Sequence, residues 1–130
     1  PAQFIISAAC NRVAVVDGHT ECISVKLERK PIAEEIIAAW REFQGEPQRL
    51  KLPSAPEKPL HYFEENNYPQ PKLHRHLGNG MTVSLGRLRE CPILDYKFVM
   101  LSHNTIRGAA GGAILNAELF IAKGGLEKLR

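Results

Sequence analysis

Residues 10–27, CNRVAVVDGHTECISVKL, combine an apolar run, an Asp-Gly pair and an alternating segment, and this stretch decides the fold. Its second half has a period of two, which predicts a strand with one buried face. The alternating residues are Cys22, Ser24 and Lys26 on one side and Ile23, Val25 and Leu27 on the other. The apolar run at 13–16 predicts another strand. Asp17-Gly18 predicts a tight turn, which would pair the two strands if it closes a two-residue hairpin.

The rest of the chain predicts an α+β domain with an antiparallel or mixed β-sheet covered by helices. Further strands are predicted at 4–7, 61–65, 81–91 and 95–106. Residues 46–60 are predicted to form an ordered excursion or a long loop, and residues 66–80 a loop. A helix is predicted from Pro31, and a closing helix over 107–125. Their predicted packing stripes are Ile32, Ile36, Trp40 and Phe43 in the first, and Ile114, Ala117 and Ile121 in the second.

The composition fits one domain spanning residues 1–130, with 44% hydrophobic and 24% charged residues. The net charge is only +3 and the basic residues are scattered, which argues against a nucleic-acid partner. Apolar runs stay well short of the roughly 20 residues of a membrane span, so no membrane partner is predicted. Three cysteines without a CxxC pair favour reduced thiols and a cytoplasmic location.

The two ends of the chain differ in character. PAQFIISAA runs directly into a strand-like pattern, whereas GGLEKLR has the Gly pair and charged tail of a free end. We therefore expect this chain to be the C-terminal piece of a longer protein.

Arg12 and His19 interrupt the apolar run, and arginine is rarely fully buried without a partner. If Asp17-Gly18 closes a hairpin, both side chains share one face of the sheet and can line one pocket. Arginine offers a planar fork for a carboxylate, and histidine exchanges protons near neutral pH. The alternative is a salt-bridged arginine, paired with Asp17 or Glu21, and a turn histidine.

Other reactive side chains give weaker signals. Cys10 paired with His19 is a conceivable nucleophile, but a small buried thiol is the simpler interpretation. The HRH segment at 74–76, with His61 and His103, lacks convergent cysteine or carboxylate spacing. We predict a solvated loop there, and no metal site.

The segment SHNTIRGAAGG, residues 102–112, opens the closing helix with small residues. Small residues let a ligand or another backbone approach closely, and a helix N-terminus offers free N–H groups. Tight packing of the helix on the sheet is the alternative explanation. The pattern is not the dinucleotide fingerprint GxGxxG.

Taken together, ACNRVAVVDGHTE and SHNTIRGAAGGAILNAEL resemble the C-terminal half of aspartate-β-semialdehyde dehydrogenases of the archaeal and fungal branch. VSLGRLRE and DYKF are similar to the same branch, so the resemblance covers essentially the whole chain. It implies a substrate-binding and dimerisation domain, with Arg12 holding the substrate carboxylate and His19 acting as the acid/base. It also implies that Asn104 and Gly108 lie against NADP.

The resemblance further implies an NADP-dependent oxidoreductase of aspartate-family amino-acid biosynthesis, which reductively dephosphorylates β-aspartyl phosphate to aspartate semialdehyde. The family's cysteine nucleophile and N-terminal dinucleotide-binding domain have no match in this chain, and that domain would bind most of the NADP. We therefore expect residues 1–130 alone to be inactive. An acyl phosphate or semialdehyde substrate and a homo-oligomer formed through the sheet are implied as partners. The alternatives are the same domain of a malonyl-CoA or other acyl-CoA reductase, and a non-catalytic interaction module.

Overall fold

The structure is a computed structural model that describes residues 5–125 and residue 127. A 3-10 turn over Leu77–Gly80 precedes the third strand, and a π-helical turn over Ile106–Ala110 precedes the last helix. The strands and helices, in chain order, are β1 His19–Val25, α1 Ala33–Glu42, α2 Glu46–Arg49, β2 Leu60–Phe63, α3 Pro71–His74, β3 Val83–Glu90, β4 Tyr96–Ser102 and α4 Gly111–Ala122.

The described strands form one sheet in the order β1-β4-β3-β2. β4 runs antiparallel to both β1 and β3, whereas β2 runs parallel to β3. The predicted α+β class with a mixed sheet is therefore confirmed. The parallel edge strand follows from the long connection over residues 64–82, since a tight hairpin can only join antiparallel strands.

The predicted hairpin at Asp17-Gly18 is wrong. Residues 5–16 form neither helix nor strand and are all exposed, so the predicted strands at 5–7 and 13–16 do not form; Phe4, the start of the first, lies outside the described residues. β1 begins at His19 and pairs with β4. The reason is local: Gly18 has a positive φ of 102° but Asp17 does not, whereas a type I′ hairpin turn needs a positive φ at both central residues.

One face of the sheet, which we call the helix face, carries α1. Trp40 packs with its ring centroid 5.6 Å from that of Tyr62 on β2 and 5.0 Å from that of Phe98 on β4. The Tyr96 hydroxyl donates to the carbonyl of Pro31 at 2.7 Å and fixes the chain just before the helix. The predicted α1 stripe is right at its centre, but both ends are exposed, Ile32 by 62% and Phe43 by 50%.

The opposite face, which we call the loop face, is covered over β2 and β3 by the segment 66–77. Phe63 of β2 packs against Tyr68 and His74, with ring centroids 5.3 and 4.3 Å away. The predicted loop at 66–80 is therefore wrong, since the segment holds α3 and a 3-10 turn. The predicted solvation of the HRH segment is wrong at His74, which is only 9% exposed. Pro71 starts α3, and the aromatic neighbours supply the burial that a four-residue helix cannot supply itself.

The buried His74 makes the stability of this fold depend on pH. The Gln70 N–H donates to its Nδ1 at 2.9 Å, and burial lowers the His74 pKa, aided by His61 and opposed by Glu65. The pKa is thus lower in the folded chain than in the unfolded one, so the unfolded chain binds more protons as the pH falls below about 6.5. Stability falls with it.

We expect His74→Asn, which keeps an acceptor but does not titrate, to flatten the loss of stability between pH 7.5 and 5.5. Urea unfolding at the two pH values measures the slope. The double variant with His61→Asn should flatten it further, because burial also lowers the His61 pKa. Equal slopes in the wild type and His74→Asn would contradict this assignment.

The side of α4 that faces the interior is not the predicted one. Ile114 and Ile121 are 55% and 57% exposed, whereas Leu115 is buried. The Glu118 carboxylate accepts the Ser54 hydroxyl at 2.7 Å and the Ser54 N–H at 3.0 Å. The helix is apolar on most sides, so the sequence held too little polar contrast to identify the inner face.

None of the helices in the described part of the chain is both long and apolar enough to cross a membrane. Of the predicted free end at 124–130, residues 126 and 128–130 lie outside the described part. Gly124 ends the last helix region with a positive φ of 70°, as the Gly pair predicts.

Candidate active site

The two sequence motifs meet at one end of the sheet. His19 is the first residue of β1 and stands directly opposite Ser102, the last residue of β4. Ser102 is the first residue of the SHNT segment. Asn104 therefore lies only two residues along the chain from the residue that pairs with His19. His19 is exposed.

A hydrogen bond joins the motifs directly. The Gly18 N–H donates to the side-chain Oδ1 of Asn104 at 2.8 Å, across 86 residues of sequence. Gly18 is buried while its neighbour His19 is exposed. The bond therefore anchors the backbone immediately before the histidine.

Gly18 is enclosed by residues that its local sequence does not identify. Its φ is +102°, a conformation that favours glycine. A Cβ there would lie 3.1 Å from Leu101 Cδ1, 3.5 Å from Pro71 Cβ and 3.6 Å from Arg75 Cβ. The Asp17-Gly18 pair did signal an unusual backbone, but the residues that close on it come from α3 and β4.

Arg12 lies on the exposed segment that precedes β1. Among the residues that the structure describes, its guanidinium takes part in none of the ion pairs, so the predicted partners Asp17 and Glu21 do not hold it. The hairpin that would have placed Arg12 beside His19 does not form. The predicted burial of Cys10 is also wrong, since that thiol is exposed on the same segment.

The SHNT segment continues into the π-helical turn. The N–H groups of Gly108 and Ala110 donate to carbonyls five residues back, those of His103 and Thr105, at 3.0 and 3.1 Å. His103 is 3% exposed, and its Nδ1 lies 3.2 Å from the Thr105 hydroxyl. The buried His103 side chain anchors the inner side of the turn, whereas Gly108 is exposed on its outer side.

The small residues of this turn divide into two kinds. A Cβ on Gly111 would lie 2.6 Å from the sulfur of Met81, which precedes β3, so this glycine lets α4 pack closely against that residue. A Cβ on Gly108 would meet only the His103 carbonyl oxygen, at 3.8 Å. The surface above Gly108 is thus open to a ligand.

The histidines other than His19 have structural neighbours. His74 belongs to the aromatic cluster on the loop face, and the ring of His76 lies 5.0 Å from that of His103. Among the described residues, no three side chains of the metal-binding types converge. The three cysteines are free thiols.

Comparison with known proteins identifies the family of this chain. Residues 2–107 match the family described as "Semialdehyde dehydrogenase, dimerisation domain". The chain belongs to this family. The matched span contains both motifs of the candidate site, because it runs from the segment before Arg12 into the π-helical turn.

Complete relatives extend the comparison. An aspartate-semialdehyde dehydrogenase of Saccharomyces cerevisiae is 46% identical over 125 residues, which are 95% of this chain and 34% of the relative. One from Methanothermobacter thermautotrophicus is 48% identical over 121 residues, 92% of this chain and 35% of the relative. The chain thus spans about a third of the length of these semialdehyde dehydrogenases.

A solved structure agrees with the fold. The crystal structure of aspartate semialdehyde dehydrogenase with NADP from Candida albicans matches with a TM-score of 0.75 and 45% identity. The match covers 85% of this chain and 31% of that one. The resemblance found in the motifs is therefore confirmed in sequence and in three dimensions.

Proposed function

We propose that this domain supplies the acid/base and the substrate-binding arginine of an NADP-dependent aspartate-semialdehyde dehydrogenase in aspartate-family amino-acid biosynthesis. The carrying observation is that an exposed histidine, His19, stands opposite Ser102 beside Asn104. The relatives' names support the reaction, which is the reductive dephosphorylation of β-aspartyl phosphate.

In this proposal His19 moves the proton at the reacting carbonyl oxygen while the acyl group is held on the enzyme's thiol. Its imidazole is exposed at the end of β1, and its backbone is fixed by the ladder on one side and by Gly18 on the other. A positioned general acid/base typically contributes about 10²–10⁴-fold to the rate.

Arg12 binds the substrate carboxylate. Its side chain is exposed and outside the ion pairs of the described residues, so no carboxylate in the described part of the chain pairs with the guanidinium. A bidentate pair between arginine and a carboxylate fixes orientation as well as charge.

NADP, when bound, supplies or accepts the hydride. Asn104 and Gly108 are the residues of this chain that we assign to the cofactor. The surface at Gly108 is open, and a larger side chain there would obstruct a bound nucleotide. We assign most of the nucleotide's binding to a dinucleotide-binding domain outside these 130 residues. The same assignment places the cysteine nucleophile there.

Association of two copies through the sheet completes the proposal. On β1 the loop face is bare, with Thr20, Cys22 and Ser24 exposed along an edge strand. We expect a cytoplasmic homo-oligomer, seen by light scattering as a dimer or a larger species.

The test is an assay of the native protein with aspartate semialdehyde, phosphate and NADP, followed by NADPH absorbance. We expect turnover. In a second assay, with NADPH in place of NADP and malonyl-CoA as substrate, we expect no loss of NADPH absorbance. Turnover of malonyl-CoA without turnover of aspartate semialdehyde would make the domain part of an acyl-CoA reductase. Turnover of neither compound would favour a non-catalytic module.

The same assay on residues 1–130 alone should give no NADPH, because these residues hold the acid/base without the nucleophile that it serves. Turnover by this chain would overturn the division of roles proposed here.

A further inference from the structure

Asn104 uses its side-chain oxygen inside the protein. The amide offers one carbonyl acceptor and one NH₂ donor group, and the acceptor takes the Gly18 N–H at 2.8 Å. The resemblance assigns Asn104 to the cofactor, but a nicotinamide contact through the NH₂ group would leave this bond unexplained. The oxygen therefore has a separate task.

That task concerns the residue after Gly18. Gly18 has a φ of +102° and is enclosed by Leu101, Pro71 and Arg75 at 3.1–3.6 Å from the position of a Cβ. The packing fixes the position of the glycine, and the hydrogen bond fixes the orientation of the peptide group between Asp17 and Gly18. His19 follows at once and enters the β1–β4 ladder opposite Ser102.

We propose that Asn104 is a positioning residue for His19, acting through the hydrogen bond from the Gly18 N–H to its Oδ1. The inference rests on the proposed function and deepens it. Residues 5–16, on the other side of Gly18, are exposed and outside the sheet, so they give the histidine no support from that direction. Asn104 supplies it from the end of β4.

The magnitude is large because catalysis depends steeply on geometry. A misplacement of about 1 Å in a reacting group can cost about 10²-fold in rate. We expect Asn104→Ala in the native enzyme to lower kcat by about 10- to 100-fold. The KM for NADP should change much less, because most of the nucleotide's binding is assigned to residues outside this chain. Asn104→Asp keeps an oxygen acceptor for the Gly18 N–H, so it should restore most of kcat.

The Asp variant also carries a readout that a merely structural role would not move. The new carboxylate would accept from the backbone N–H of Gly18, the residue before His19, and a negative charge close by favours the protonated imidazole. The pH–rate profile of Asn104→Asp should therefore move to higher pH. Asn116→Ala, an exposed asparagine on α4, is the matched control and should leave kcat, KM and the profile unchanged.

Hydrogen exchange reads the bond itself. In Asn104→Ala the Gly18 amide should exchange faster, while in Asn104→Asp and Asn116→Ala it should stay protected. Unchanged kcat with a raised KM for NADP in Asn104→Ala would overturn the inference and leave the proposed function standing, as would unchanged exchange at Gly18. Lack of dehydrogenase activity in the unsubstituted native protein would instead overturn the proposed function, and the catalytic part of this inference with it.

Discussion

Replacing His19 with asparagine is expected to lower kcat of the native enzyme by about 10²–10⁴-fold. Asparagine keeps the polarity and roughly the size of the side chain but cannot exchange a proton near neutral pH. His19 is exposed at the start of β1, so the fold should tolerate the change. Steady-state kinetics and thermal unfolding of the same preparation separate the two effects.

The control is Thr20→Ser, one residue further on, whose side chain points to the other face of the sheet. Its kcat should stay within about twofold of wild type. Arg12→Ala provides a contrast, since loss of a charged hydrogen bond of about 1.5–3 kcal/mol should raise KM for aspartate semialdehyde. An unchanged kcat in His19→Asn would remove the acid/base role from this residue.

The largest expected effect on stability is at Gly86. This residue lies in β3, between β2 and β4, opposite Val99. A Cβ there would lie 2.5 Å from the Tyr68 carbonyl oxygen and 3.1 Å from Pro69 Cδ. The obstacle is backbone, and β3 is held on both sides, so neither part can move away cheaply.

We expect Gly86→Ala to lower the free energy of unfolding by about 3 kcal/mol, the upper part of the usual range for overpacking. That is a large share of the roughly 5–15 kcal/mol available to a domain. Urea unfolding at pH 7.5 gives the value. Gly108→Ala is the matched control, because its Cβ would meet its nearest atom at 3.8 Å, and it should change stability by less than about 0.5 kcal/mol. Equal effects of the two variants would contradict the close approach at Gly86.

The regular elements were largely predictable because their patterns are local. The alternation in 19–25 and 83–90, and the stripe through Ile36 and Trp40, identify β1, β3 and α1 from neighbouring residues alone. The pairing of β1 was not predictable in this way. Its partner β4 begins 71 residues after the end of β1, and Asp17-Gly18 gives the same local signal for a hairpin as for a single left-handed residue before a strand.

The candidate site shows the same division. The residue types of Arg12 and His19 point to carboxylate binding and proton transfer, and the resemblance adds Asn104 and Gly108. The sequence pattern does not reveal the bond between Gly18 and Asn104, because nothing local to either residue marks the other. The socket formed by Pro71 and Arg75 was hidden for a related reason, since α3 is too short to show a helical period.

The π-helical turn over Ile106–Ala110 makes the spacing between Asn104 and α4 a constraint on length. Such a turn is an α-helical turn with one additional residue. Deletion of Ala109 can therefore convert it into a regular α-helical turn. The deletion would remove the bonds from Gly108 and Ala110 to the carbonyls five residues back, and the preceding segment would shift relative to α4. Asn104 would then leave Gly18, so variation in this family should preserve the number of residues here even where their identities drift.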